Sequence, residues 1–549
     1  MTDPTPPVLQ IRDLTIGLKA GPALVRDLTL EIAAGETLCV VGESGSGKSL
    51  TSLAVMGLLD REALEIRGGT IGVAGEDVLA ATPKRLREMR GGVMSMVFQE
   101  PMTALNPVEP VGAQVEEVLR LHGERNAARR RARVLEMLAE VHLPEPERIY
   151  RSYSHELSGG QRQRVVICMA LVMRPRLLIA DEPTTALDVT TQKQILALID
   201  ELKARTGTAV LFITHDFGVV SEIADRICVM NRGDVVETGT RDQVLSAPRH
   251  DYTRMLVASV PGLVPPPARA VGRDVALKVD ALAKTYGARG MFGRGRRVQA
   301  LRPSGFALHR GEIVGIVGES GSGKTTMARC LSRLIQPTAG RIELEGRDIS
   351  GLRERALRES RRNLQVVFQD PFRSLNARMK VRDLICEGMI NYAVPRASAH
   401  ARAGALLERV GLGRDALDRY PHQFSGGQRQ RICIARALAL DPSVLIADEA
   451  VSALDVSVQR QVLDLLASLR DERDIAILFI THDLRVAAQI CDRILVMKAG
   501  EVVEQGPAAR VLTAPDHPYT RDLLAAAPGR DWDFANFRPQ RATAAPAHG

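Results

Sequence analysis

The chain has 549 residues, 45% apolar and 25% charged, which excludes global disorder and leaves room for more than one domain. A net charge of only +8 and 3% aromatic residues argue against a nucleic-acid binder built on a basic face and base-stacking platforms. The seven cysteines, none at CxxC spacing, exclude a disulfide framework or zinc knuckle. Without a signal-peptide pattern or a stretch of about 18 uncharged apolar residues, the chain is expected to be soluble, with any membrane role peripheral.

In chain order, Thr37 to Val41 reads as a short buried strand ending in glycine. It runs into Gly42, Glu43, Ser44, Gly45, Ser46, Gly47, Lys48 and Ser49, the pattern of a phosphate-binding loop with a helix expected after it. The glycines let backbone N–H groups turn around phosphate oxygens. Lys48 reaches the β- and γ-phosphates, and the Ser49 hydroxyl ligates Mg²⁺. Gln99, in VFQEP after an apolar run, is placed to ligate Mg²⁺ or position water. The stretch from Pro110 to Leu143 has helical spacing with charged faces and reads as a helical subdomain; its basic run, Arg129 to Arg133, reads as a solvated face.

LSGGQRQR, from Leu157 to Arg164, follows. Leu177 to Ala180 is a further buried strand, delivering Asp181 to the Mg²⁺ shell and Glu182 to the attacking water. A helix is expected over Thr191 to Lys203. A third apolar strand, Ala209 to Thr214, presents His215 to a γ-phosphate. Strand–helix alternation of this kind argues an α/β fold with a mostly parallel sheet.

The pattern then repeats. Gly318, Glu319, Ser320, Gly321, Ser322, Gly323, Lys324 and Thr325, with Thr326 after them, restate the phosphate loop 276 positions on. FSGGQRQR, Asp448–Glu449 and His482 recur at offsets of 267, and Gln369 recurs in VFQDP. Thr325, Gln369 and Asp448 are the second set of metal-ligand candidates. A duplicated domain explains this order. The Gly- and Arg-rich segment Gly287 to Arg297 accounts for the longer first offset as an inserted loop. The boundaries expected are a first domain over 1–261, a Pro-rich linker over 262–274, a second domain over 275–528 and a flexible tail over 529–549.

With the two SGGQRQR segments in place, the chain resembles the ATP-binding-cassette ATPases. The resemblance implies a mostly parallel core sheet with helices in each domain, plus a small antiparallel β part and a helical subdomain. It implies ATP hydrolysis with Mg²⁺, by a head-to-tail pair of cassettes. Each ATP would lie between one phosphate loop and the other cassette's signature, formed by Ser158, Gly159, Gly160 and Gln161 or by Ser425, Gly426, Gly427 and Gln428. Asp188 and Asp455 match the loop lining that seam. The family stacks adenine on an aromatic residue. Tyr286 fits that role in the second half, and Leu18 stands in its place in the first.

The ends SAPRHDYTRML and TAPDHPYTRDLL resemble the dipeptide, oligopeptide and glutathione importer subfamily. That resemblance implies two permease subunits and an extracytoplasmic solute-binding protein as partners, and a place on the cytoplasmic face of the inner membrane. No cysteine follows Cys491, so no iron–sulfur cluster is expected. A soluble tandem ATPase acting on ribosomes or nucleic acid is the alternative. The short Pro-rich junction and the HPYT tail favour import.

Overall fold

The computed structural model describes residues 6–98, 104–185, 187–287, 297–452 and 454–540. Gln99 and most of the inserted loop after Gly287 lie outside them. The chain divides into two compact units. One comprises Met1–Leu187, Thr191–Val260 and Pro528–Gly549; the other comprises Asp188–Thr190 and Pro261–Ala527.

The first unit carries strands β1 (Leu9–Leu18), β2 (Ala23–Ile32), β3 (Thr37–Val41), β4 (Leu64–Val73), β5 (Glu76–Asp77), β6 (Met94–Val97), β7 (Leu177–Asp181), β8 (Ala209–Ile213), β9 (Arg226–Asn231) and β10 (Asp234–Thr240). Six form one sheet in the order β10-β9-β3-β8-β7-β6, parallel except for the β9/β10 edge pair. Every residue of β3, β7 and β8 is buried, which is why these segments read as unbroken apolar runs. The remaining four form an antiparallel sheet, β2-β1-β4-β5.

Strand β1 shows how a bulge rewrites an alternating pattern. Leu9 and Ile11 point into the core, then Leu14 and Ile16 do so on the opposite phase. The register slips between Ile11 and Leu14, where Asp13 takes a φ of 49°. The second unit repeats the device in β11 (Val275–Tyr286), where Ala281 has a φ of 48° between Val279 and Leu282.

Between β6 and β7 the chain forms helices Val111–Leu121, Ala127–Glu140 and Pro146–Arg151. Val115, Leu119, Val134, Met137, Leu138 and Ile149 are buried there. The basic run is tied into this subdomain by ion pairs. Arg130 lies 3.3 Å from Glu116, Arg131 2.7 Å from Glu147 and Arg133 2.8 Å from Glu136.

The second unit continues with β12 (Val298–His309), β13 (Ile313–Val317), β14 (Ala339–Leu344), β15 (Arg347–Asp348), β16 (Leu364–Val367), β17 (Val444–Asp448), β18 (Ala476–Ile480), β19 (Arg493–Lys498) and β20 (Glu501–Pro507). Its sheets, β16-β17-β18-β13-β19-β20 and β12-β11-β14-β15, restate the first unit's topology. Among the described residues no helix is long and apolar enough to cross a membrane. All seven cysteines are buried and free.

The tail departs from expectation. Residues up to Gln540 are folded, with Trp532–Asp533 paired to Arg538–Pro539, Phe534 buried, and Gly529 N–H donating to Glu222. Two aromatic side chains, Trp532 stacked on Phe534, supply an anchor that an absence of periodicity does not reveal.

Candidate functional site

Both phosphate loops follow a buried strand, β3 or β13, and lead into helices Lys48–Val55 and Lys324–Leu331. The turn depends on glycine at its first position. Gly42 and Gly318 have φ of 153° and 150°, and a Cβ on either would lie 2.2 Å from the carbonyl oxygen of Met230 or Met497. Lys48 Nζ donates to the carbonyls of Gly42 (2.7 Å) and Glu43 (3.0 Å), and Lys324 Nζ to those of Gly318 (2.7 Å) and Glu319 (2.9 Å). The lysines are thus folded into their loops, and burial lowers the pKa of Lys324.

Asp181 and Asp448 end β7 and β17 beside these loops, each buried. Ser49 Oγ donates to Asp181 Oδ1 at 3.3 Å and Ser52 Oγ to Oδ2 at 3.4 Å. Burial raises the Asp181 pKa, against these hydroxyls. Burial and the neighbouring Glu449 push Asp448 up to about 6, and its Oδ1 is buried with no hydrogen-bond partner. A buried carboxylate with one oxygen free of donors and a hydrogen bond from the Thr325 hydroxyl to the group is a hard oxygen set that fits Mg²⁺.

The glutamates after them sit in left-handed backbone, with φ of 47° at Glu182 and 50° at Glu449, a conformation costing about 1–3 kcal/mol for a non-glycine residue. Their amides donate to Ile213 O and Ile480 O at 2.9 Å, which pins the turn to the third strand. The turn aims each carboxylate at the histidine ending that strand. His215 Nδ1 lies 2.9 Å from Glu182 Oε1, and Thr185 Oγ1 donates to Oε2 at 3.0 Å. Burial alone would raise the Glu182 pKa; His215, with Thr185 and Lys48, more than offsets this and holds it down to about 2. In the second unit His482 Nδ1 is 3.5 Å from Glu449 Oε2, and Gln369 Nε2 donates to the same oxygen at 2.6 Å. Here too burial opposes the shift, yet the pairing lowers Glu449 and raises His482.

The signatures open helices Gly159–Leu171 and Gly426–Leu438 with reciprocal caps. Ser158 Oγ accepts from Gln161 N (3.3 Å) while Gln161 Oε1 accepts from Ser158 N (3.0 Å), and Ser425 and Gln428 do the same. The second glycine is required by packing. A Cβ on Gly160 would lie 2.5 Å from Thr191 Cγ2, and one on Gly427 2.6 Å from Val458 Cγ1. Tyr286 and Leu18 both end the first strand of their units, 41% and 38% exposed, with Lys284 Nζ 5.1 Å from the Tyr286 ring centroid.

Sequence reasoning missed Gln163, fully buried in the signature helix, whose Nε2 donates to Pro183 O at 2.5 Å. That bond joins the signature helix to the turn carrying Glu182. A glutamine on the side of a helix that otherwise buries Val165, Val166, Ile167, Cys168, Ala170 and Leu171 was the available signal.

The ABC transporter family profile matches residues 25–185 and 301–452. The profile of the oligopeptide/dipeptide transporter C-terminal region matches residues 236–284 and 503–545. The chain is 46% identical over 532 residues to the peptidoglycan transport ATP-binding protein YejF of Agrobacterium fabrum, covering 95% of this chain and 97% of that one. It is 46% identical over 576 residues to the glutathione import ATP-binding protein GsiA of Escherichia coli K12, covering 97% and 91%. Among solved structures it is similar to the dimeric MJ0796 bacterial ABC transporter cassette, 29% identical over 42% of this chain and 98% of that one, with a TM-score of 0.39. The chain belongs to the ABC transporter family, as an ATP-binding protein and ATPase with two cassettes in one polypeptide.

Proposed function

We propose that this protein is the ATP-hydrolysing subunit that energises import of peptides or similar small solutes through separate membrane permeases. The observation that carries the reading is the match to the oligopeptide/dipeptide transporter C-terminal region in both halves, each behind a complete set of lysine, aspartate, glutamate and histidine. The names of the relatives, which speak of glutathione and peptidoglycan transport, support the same solute class.

In this reading Asp181 with Ser49 and Gln99, and Asp448 with Thr325 and Gln369, hold Mg²⁺. When bound, the cation neutralises charge on the β- and γ-phosphate oxygens. The loop amides and Lys48 or Lys324 seat the phosphates. His215 and His482, each against its glutamate, contact the γ-phosphate. Glu182 or Glu449 takes a proton from the water that attacks the γ-phosphorus; the bond to the β,γ-bridging oxygen breaks, leaving ADP and inorganic phosphate.

Ser158 and Ser425 at their helix starts cap the γ-phosphate bound by the other cassette, with Asp188 and Asp455 at the seam, so ATP closes the pair and hydrolysis reopens it. The segments after Gln99 and Gln369 pass this motion to cytoplasmic helices of two permeases. A solute-binding protein outside the cytoplasm delivers cargo, and the chain sits peripherally on the cytoplasmic face of the inner membrane.

The test is reconstitution of the chain with its permeases and binding protein in vesicles. Uptake of labelled dipeptide or glutathione should require Mg-ATP and vanish in the E182Q/E449Q chain. Co-sedimentation with ribosomes, and no association with permeases, would favour the soluble tandem ATPase instead.

A further inference from the structure

The segment bearing HDYT in the first half and HPYT in the second is fastened in the same way in both units. Glu237 on β10 accepts from the amides of Arg249 (2.8 Å) and His250 (3.0 Å); Glu504 on β20 accepts from those of Asp516 (2.8 Å) and His517 (3.2 Å). The histidine then caps the next helix, Asp251–Ala258 or Pro518–Ala526. His250 Nδ1 accepts from Tyr252 N, and His517 Nδ1 from Tyr519 N, both at 3.1 Å. The cap fixes a tyrosine in the first turn of each helix. Its hydroxyl reaches the phosphate loop 209 positions away in the first half and 200 in the second. Tyr252 Oη accepts from Glu43 N at 3.2 Å, and Tyr519 Oη accepts from Glu319 N at 3.2 Å.

Glu43 and Glu319 lie on the arm of the loop against which the lysine rests. Lys48 and Lys324 bind the carbonyls of the same residues whose amides the tyrosines hold. Each arm is therefore gripped from both sides, by the nucleotide-binding lysine and by a phenol from the C-terminal region. Tyr519 is 5% exposed, with Lys498 Nζ 4.6 Å from its ring centroid. Burial pushes its pKa up to about 12, so the phenol stays neutral at ordinary pH.

We propose that Tyr252 and Tyr519 are positioning residues for nucleotide binding: each hydroxyl preorganises its phosphate loop through the amide of Glu43 or Glu319, and the C-terminal region thereby sets the ATP affinity of each cassette. This rests on the reading of both loops as ATP sites. A preorganised loop favours ground state and transition state alike, so loss of the hydroxyl should appear in KM and not in kcat.

The test uses Y252F and Y519F in the full chain. Phenylalanine keeps the ring and its packing and removes only the hydroxyl. ATPase KM should rise at least about fivefold at the altered cassette, the ratio set by loss of the amide hydrogen bond alone, since Tyr252 Oη also donates to Glu43 Oε2 at 3.3 Å, with kcat changed less than about twofold. Equilibrium binding of Mg-ATP to the same variants in the E182Q/E449Q background should weaken by the same factor. Thermal unfolding checks that the fold is retained. Unchanged affinity in a folded variant overturns the proposal, as does a fall in melting temperature without a change in affinity, which marks the hydroxyl as structural only. A fall in kcat at constant KM also overturns it. Absence of ATP binding by the wild-type chain would overturn the functional reading together with this one.

Discussion

The two cassettes carry the same motif residues on different supports. In the first, Asp181 is held by two hydroxyls, from Ser49 and Ser52. In the second, the position corresponding to Ser52 is Ala328, which has no hydroxyl to give. There Asp448 Oδ1 is buried without a partner, and burial with the neighbouring Glu449 raises the group's pKa to about 6. The turn behind each glutamate differs as well. Gln163 donates to Pro183 O, whereas Ala450 follows Glu449 and the Nε2 of the matching Gln430 is buried without a partner. His215 sits 2.9 Å from its glutamate, and His482 3.5 Å from a glutamate it shares with Gln369. The motif residues define the chemistry; their neighbours tune it separately in each half.

The Ser52/Ala328 contrast gives the larger effect. A carboxyl whose folded pKa is raised binds more protons in the native state than in the unfolded one. Stability therefore falls as pH rises from the unfolded pKa, 3.8, through about 6, by about 3 kcal/mol for Asp448. A328S, by supplying the missing donor, should lower that pKa and flatten this slope. S52A should steepen the corresponding slope in the first cassette, by about 1 kcal/mol for the lost hydrogen bond. Chemical denaturation between pH 4 and 7 reads both, and the slope is independent of any packing cost of the added hydroxyl. Identical slopes in wild type and A328S would break the contrast.

A smaller effect is expected at the ends of β1 and β11. If Tyr286 stacks adenine and Leu18 does not, L18Y should tighten ATP binding at the first cassette and Y286A should weaken it at the second. Each change should be about two- to tenfold, the range of an aromatic contact. Nucleotide titration of the full chain measures both, and equal affinities in L18Y and wild type would remove the asymmetry.

Much of this was legible in the sequence because its signals are local. Phosphate loops, apolar strands ending in Asp-Glu or His, and signature serines each occupy a few consecutive residues, and their recurrence fixes the order. What escaped depends on contacts between distant positions. Ser52 meets Asp181 across 129 residues and Tyr252 meets Glu43 across 209, and neither pairing leaves a periodic trace. The bulge at Asp13 was hidden because a phase change looks like a broken strand pattern. The fold of the tail was hidden because two aromatic anchors carry it. Recurrence of tyrosine at the same place in both C-terminal segments was the one sequence clue to its reach toward the loop.

That each cassette hydrolyses ATP with its own glutamate is tested most directly by the turnover of E182Q, E449Q and the double variant at saturating Mg-ATP. The account predicts partial loss in each single variant and a loss of about a hundredfold or more in the double variant, with Mg-ATP binding retained. Hydrolysis at the wild-type rate by E182Q/E449Q would contradict it.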